Sequence, residues 1–252
     1  MKWLTLYIAS LPFLIWSQFN DMKQFYKLGD STIEFYIHHS QVEQDFIFLN
    51  LHEDESTSIE ALHHVIGLHD FSFFYLQHAK TRRINFSLEG KQFDIDPNRI
   101  FTKKGVKKTL KEGAGKSRKA VKEVQGLTNS ILNFLPPGKT VIAVHNNTDV
   151  NYSIKSYLPE GDEAQNTAQI FINEEMDPDD FIYTTHLPFY EAFKKRKINV
   201  ILQDNTGFVN DGSLSVYCGM NNVPYINIET QKGHFKEQVA LINIVLEVLK
   251  EK

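Results

Sequence analysis

Phe46-Ile47-Phe48-Leu49-Asn50-Leu51-His52-Glu53-Asp54-Glu55, running on through residues 56–68, is the stretch that decides how this chain folds. Its apolar opening is continuous rather than alternating, the mark of a strand covered on both faces. Residues 56–68 then change to helical spacing, and Thr57-x-x-Glu60 predicts a capping box at the helix start. Between strand and helix stand one imidazole and three carboxylates, where a buried strand opens into a loop.

The same alternation extends along the chain. Apolar runs of strand length recur at 33–37, 71–76, 141–144, 170–172, 181–184, 200–202 and 225–228. Helical patterns occupy 119–135, stopped by Pro136-Pro137-Gly138, and 187–197. A last amphipathic helix is predicted over 235–252, with Val239, Ile242, Val245, Leu246 and Leu249 on one face. Strands alternating with helices predict an α/β fold, a single domain with a mainly parallel or mixed central sheet and helices on both faces. In such sheets ligands bind beyond the carboxyl ends of the strands.

Composition sets the outer limits. A chain of 252 residues fits one large α/β domain, and 42% hydrophobic with 23% charged is ordinary for a globular protein. The net charge of −4 argues against non-specific nucleic-acid binding. Cys218 is the single cysteine, so no intrachain disulfide can form, and its apolar surroundings predict an inert buried thiol. Met1-Lys2 followed by the uncharged apolar stretch 3–16 reads as a signal peptide over residues 1–17, with cleavage after Ser17. The stretch is shorter than the roughly 20 residues of a membrane span. The expected mature chain is 18–252, exported to the periplasm or secreted, with no stable membrane span. The lysine-rich segment from Lys103 to Lys122 reads as a solvated loop and helix, or alternatively as a positive rim that attracts an anion.

Polar residues close several apolar runs: His52 with its acidic neighbours, Asn98-Arg99, His145 and Glu229. Placed on one rim of the sheet, they have the parts of a one-zinc hydrolase. Two histidines and one carboxylate are a common catalytic zinc set, a second glutamate can serve as base, and an arginine can hold an anion. Spacing alone leaves Glu53, Asp54 and Glu55 all open as the carboxylate ligand. His63-His64 and His69 lie on or just after a helix and read as surface or core residues, and Asp177-Pro178-Asp179-Asp180 reads as a polar loop.

Four islands in order, His52-x-x-Glu55, Asp96-Pro97-Asn98-Arg99-Ile100-Phe101, His145-Asn146-Asn147-Thr148 and Val223 to Glu229, resemble the zinc carboxypeptidase superfamily. That superfamily includes the aspartoacylase and succinylglutamate desuccinylase branch, to which the second and third islands are closest. The resemblance spans about residues 45–232 through these islands only. It implies a zinc carboxypeptidase-like fold in which His52, Glu55 and His145 bind one zinc ion. It implies that Asn98 and Arg99 hold a substrate carboxylate, and that Glu229 passes a proton from water to the leaving amine. The implied substrate is a small peptide or an N-acyl amino acid with a free carboxylate. Metallocarboxypeptidase-like cleavage, of cell-wall or other peptides, is favoured over a deacylase of N-acyl amino acids; a non-catalytic carboxylate-binding relative is the third reading.

The chain also departs from that pattern. Val144 stands where an acidic residue usually precedes the third ligand, and the strand end before the first ligand is Asn50-Leu51. Arg82, Arg83 and Lys91 are the candidates for an oxyanion-stabilising cation, and Tyr217 and Tyr225 for a substrate-binding tyrosine.

Overall fold

A computed structural model describes residues 21–113, 115, 117–148 and 152–251. The segment read as a signal peptide, residues 1–17, lies outside the described residues. Among the described residues no helix is long and apolar enough to cross a membrane.

Eleven strands are described: β1 (Asp21–Leu28), β2 (Ser31–His38), β3 (Phe46–Asn50), β4 (Phe73–Gln77), β5 (Ile84–Leu88), β6 (Lys91–Ile95), β7 (Thr140–Asn147), β8 (Thr167–Phe171), β9 (Phe181–Thr184), β10 (Val200–Gln203) and β11 (Tyr225–Gln231). Six α-helices accompany them: α1 (Ser56–Ile66), α2 (Lys103–Glu112), α3 (Arg118–Leu132), α4 (Leu187–Lys195), α5 (Leu214–Met220) and α6 (Phe235–Lys250). Nine strands form one sheet in the order β1-β2-β4-β3-β7-β11-β9-β10-β8. Its centre, β4-β3-β7-β11, is parallel, while β1, β2 and β8 are antiparallel to their neighbours and β9 runs antiparallel to β11. The expected single α/β domain with a mixed sheet is therefore present.

Side-chain alternation explains why the central runs are apolar throughout. Ile47, Leu49, Val141, Ala143 and Tyr225 face one side, where Val106 and Leu110 of α2, Val124, Leu127 and Ile131 of α3, and Leu214 and Cys218 of α5 cover them. Phe48, Ile142, Val144, Ile226 and Ile228 face the other, beneath α1, α4 and α6. Each such side chain, fully withdrawn from water, contributes about 1.5–3 kcal/mol. Cys218 is buried, and its thiol is pushed well above its ordinary range by desolvation.

Several elements correct the expectations. The Thr57/Glu60 capping box does not form: α1 begins at Ser56 with Glu55 as its N-cap residue, and no side chain of its own caps it. Thr57 Oγ1 instead accepts from Gly233 N at 3.0 Å. The lysine-rich segment contains the whole of α2, capped by Thr102, and the start of α3, capped by Ser117. Lys103, Lys104, Lys107 and Lys108 are exposed and none lines the main cleft, so the solvated-surface reading holds for them. Strands β1, β5 and β6 were not anticipated. The β5–β6 hairpin turns on Glu89-Gly90, both at positive φ (53° and 74°), the backbone of a two-residue hairpin turn.

Candidate active site

The carboxyl ends of β3, β7 and β11 open into a cleft of about 490 Å³. His52 follows β3 by two residues, Glu55 is the N-cap residue of α1, His145 sits inside β7 and Glu229 inside β11. Strand alternation turns His145 and Glu229 to the same sheet face, while Val144, Asn146 and Thr230 turn to the other.

His52, Glu55 and His145 converge. The Nδ1 atoms of His52 and His145 each lie 2.8 Å from an oxygen of Glu55, one on Oε1 and one on Oε2. All three side chains are buried, and theirs is the one cluster among the described residues that could hold a metal ion. Glu53 and Asp54 drop out as ligands: Glu53 Oε2 accepts the backbone N–H groups of His78, Ala79 and Lys80 at 2.6–2.8 Å, and Asp54 lies outside the cluster.

The donor set fits a zinc ion. Two imidazole nitrogens and a carboxylate oxygen within 4.8 Å of one another are the donor types and the proximity that a catalytic zinc site uses. The tautomer fits as well. His52 Nε2 lies 2.8 Å from Asp96 Oδ1. A proton held there leaves the Nδ1 lone pair for a metal, the arrangement in which a carboxylate orients a ligating imidazole. Asp96 is the site residue whose role the sequence did not disclose. It lay within the Asp-Pro-Asn-Arg island, where turn chemistry accounted for it, and it does cap the 3-10 turn Pro97–Arg99 by accepting from Asn98 N at 2.8 Å.

The electrostatics follow from burial opposed by proximity. Desolvation lowers the His52 pKa, but the Glu55 charge and the Asp96 and Glu55 hydrogen bonds outweigh it and raise the pKa to about 9. Glu55 shows the mirror image: burial raises its pKa, yet the charges of His145 and His52 bring it well below the usual carboxylate range. Asp96 is likewise held low by His52 against its own desolvation. Glu229 differs, because desolvation prevails and leaves its pKa raised. Asn227 Nδ2 donates to Glu229 Oε1 at 3.0 Å and fixes the carboxylate.

Of the three oxyanion candidates, the structure brings only Arg82 to the cluster. Its Nη1 donates to Glu55 Oε1 at 2.8 Å, and the guanidinium lines the cleft. Arg83 is taken by Asp94 and by Thr109 O, and Lys91 lies exposed on the β5–β6 hairpin. Asn98 and Arg99 both line the cleft. Asn98 Oδ1 accepts from Leu214 N at 3.0 Å, and Arg99 Nε pairs with Asp211 Oδ2 at 3.3 Å. Two glycines allow that approach. A Cβ on Gly105 would fall 2.5 Å from Arg99 O and one on Gly212 equally close, and Gly212 also has φ +91°.

Tyr225 lines the cleft, whereas Tyr217 packs against Phe101 outside it. The larger aromatic group was not anticipated: Tyr152, Tyr157 and Tyr183 cluster in the lining of the cleft, with the hydroxyls of Tyr152 and Tyr157 2.6 Å apart. These residues lie on separate short elements, so no local spacing marks them. His145 Nε2 is buried without a hydrogen-bond partner among the described residues, and Val144, on the opposite face of the sheet, does not bear on it. His63 packs against Tyr36, Phe73 and Tyr75, and Asp180 accepts from Gln231 N and pairs with His234, so these side chains serve the fold.

No family model matches this chain, and no curated protein matches it. Solved structures do match. A metallo-carboxypeptidase from Burkholderia cenocepacia is 12% identical, over 91% of this chain and 65% of its own, with a TM-score of 0.48. Murein-tripeptide amidase from Escherichia coli O157 is 12% identical, over 85% of this chain and 86% of its own, with a TM-score of 0.44. A protein assigned to the succinylglutamate desuccinylase/aspartoacylase family from Shewanella amazonensis SB2B is 8% identical, over 90% and 72%, with a TM-score of 0.42. At such identities and scores the chemistry has to be read from the site itself.

Proposed function

We propose that this chain is a zinc-dependent hydrolase that cleaves an amide bond beside a free carboxylate of its substrate. The observation that carries the reading is the convergence of His52, Glu55 and His145 in a cleft that also holds Glu229, Arg82 and Arg99. His52, Glu55 and His145 would hold the ion, which when bound supplies Lewis-acid activation of water and of the scissile carbonyl.

The remaining work falls to the chain. Arg99, steadied by Asp211, presents its guanidinium to the substrate carboxylate, and Asn98 lines the cleft beside it. That anchorage sets the amide over the rim where Glu229 waits. A carboxylate with a raised pKa is matched to accept a proton near neutral pH, and Glu229 takes one from the attacking water and delivers it to the departing amine. The Arg82 guanidinium stabilises negative charge developing on the carbonyl oxygen. Burial of the cluster strengthens each of these charge interactions.

The cleft supports a peptide over a small N-acyl amino acid. A cleft of about 490 Å³, lined in part by Tyr152, Tyr157 and Tyr183, has room for more than a small N-acyl amino acid. Residues 1–17 are read as an export leader in the same proposal, with a mature N-terminus at Gln18 as the corresponding test. The deciding experiment is metal analysis combined with an activity panel. Purified protein should carry about one zinc, which the His52→Ala variant loses, and should release C-terminal residues from peptides. Hydrolysis of N-acyl amino acids alone would replace the peptidase reading with the deacylase, and absence of metal would remove the hydrolase reading.

A further inference from the structure

Beneath the metal ligands lies a set of amide side chains that the reaction itself does not use. Strands β3 and β7 pair in parallel from Phe46↔Thr140 to Leu49↔Ala143, and the ladder then stops. At the next position the side chain of Asn50 takes over, its Nδ2 donating to Val144 O at 2.9 Å. The same amide donates to Ser58 Oγ at 2.9 Å and lies 3.4 Å from Glu55 Oε2. Asn50 is fully buried, and these partners replace water on its amide nitrogen, while its Oδ1 has no hydrogen-bond partner among the described residues.

A second amide completes the connection from the other strand. Asn146 Oδ1 accepts from Ser58 N at 2.9 Å, satisfying an N–H in the first turn of α1. Its Nδ2 donates to Gln238 Oε1 at 3.0 Å and to His145 O at 3.1 Å. The helix needs this help because Glu55, its N-cap residue, makes no capping bond: that carboxylate is turned to the two imidazoles. The first turn of α1 is thus capped in trans by the strand that carries His145.

We propose that Asn50 and Asn146 are positioning residues, a two-amide clamp on the first turn of α1 that sets the Glu55–His145 separation and with it the affinity and coordination geometry of the metal site. This rests on the metal-site reading above. The strands must part at their carboxyl ends to open the cleft, and parting them removes the backbone ladder that would otherwise fix Glu55 relative to His145. The clamp restores rigidity where the ladder ends. Loss of residues that orient metal ligands typically weakens metal binding 10–100-fold.

The test uses the full chain. Zinc affinity is measured by chelator competition, the cobalt-substituted visible spectrum is recorded, and melting is followed with and without zinc. Asn50→Leu, near in size but without donors, should weaken zinc binding at least tenfold and alter the cobalt spectrum. The zinc-induced rise in Tm should shrink. A purely structural role would lower Tm with and without zinc alike and leave affinity and spectrum as they were, and that result overturns the proposal. Should Asn50→Leu fail to fold, Ser58→Ala decides: it removes one anchor of the clamp and should weaken zinc several-fold, and unchanged affinity overturns the proposal. If wild-type protein binds no zinc, the metal-site reading fails first and independently of the clamp.

Discussion

Glu229 lies directly beside His145 in the parallel register that joins β11 to β7. Neighbouring strands stand about 4.8 Å apart, so a carboxylate and an imidazole at matched positions on one face share a single site without any loop to place them. The proposed base is thereby set by the same hydrogen-bond ladder that sets a proposed metal ligand. Removing the carboxylate's charge should leave that ladder intact. Glu229→Gln is expected to retain zinc and the wild-type Tm while kcat falls about 10²–10⁴-fold, the usual worth of a positioned base. A variant that keeps metal and stays within tenfold of wild-type kcat would assign the proton transfer elsewhere.

The two cleft arginines should separate kinetically. In the proposed reaction Arg99 anchors a carboxylate in the ground state, so Arg99→Ala should raise KM strongly, with little loss when the substrate's C-terminus is already amidated. Arg99→Lys should recover only part of the affinity, because an ammonium does not reproduce a planar fork. Arg82 touches Glu55 and faces the cleft, so Arg82→Ala should act mainly on kcat, by about 10²–10³-fold if it meets the developing oxyanion. Equal effects of both substitutions on KM alone would show that neither meets the transition state.

The parts of this site that could be read from the chain were those marked by abrupt changes in local pattern. His52 and Glu229 end apolar runs, and a buried polar residue at the edge of such a run is conspicuous. Asp96 was hidden because its turn chemistry explained it without reference to His52, distant in sequence. Tyr152, Tyr157 and Tyr183 meet only after β9 pairs with β11 and β10. Strand β1 was hidden for another reason. As an edge strand with Lys23 and Lys27 and mostly exposed residues, it has the polar character that protects an edge from further pairing, and no apolar run marks it. The capping box read from Thr57-x-x-Glu60 does not form, since Asn146 Oδ1 accepts from Ser58 N in the first turn of the helix and Thr57 Oγ1 accepts from Gly233 N.

Gly212 ties fold to function, which makes it a sensitive position. Its φ of +91° strains any other residue, and a Cβ would meet Arg99 O at 2.5 Å. Gly212→Ala should destabilise the protein by at least about 1–3 kcal/mol, the range for a residue held in such a conformation. In a domain of this size that lowers Tm by several degrees. Because the backbone displaced is that of Arg99, KM should rise even in the fraction that folds. A variant with wild-type Tm and KM would contradict the close packing of these two turns.

Acid and base should act on the metal-free protein through different groups. Zinc-free protein holds His52 as an imidazolium between Glu55 and Asp96, with a pKa raised from 6.5 to about 9. A group whose folded pKa is raised adds stability that is complete below its unfolded value and is lost as pH climbs through the folded one. The His52 contribution should therefore be full below pH 6.5 and gone above about pH 9. Glu55 and Asp96 have lowered pKa values, so their contribution is present above 4.5 and 3.8 respectively and fades as pH falls further. The joint contribution of His52, Glu55 and Asp96 to metal-free stability should accordingly be largest between about pH 4.5 and 6.5 and smaller at pH 9. Zinc competes with the proton on Nδ1, so the zinc-induced rise in Tm should grow over the same interval in which the metal-free protein weakens. Melting curves of chelator-treated and zinc-loaded protein from pH 4 to 10 measure both trends. A metal-free Tm that climbs from pH 6.5 to 9 would show that His52 is neutral in the folded chain.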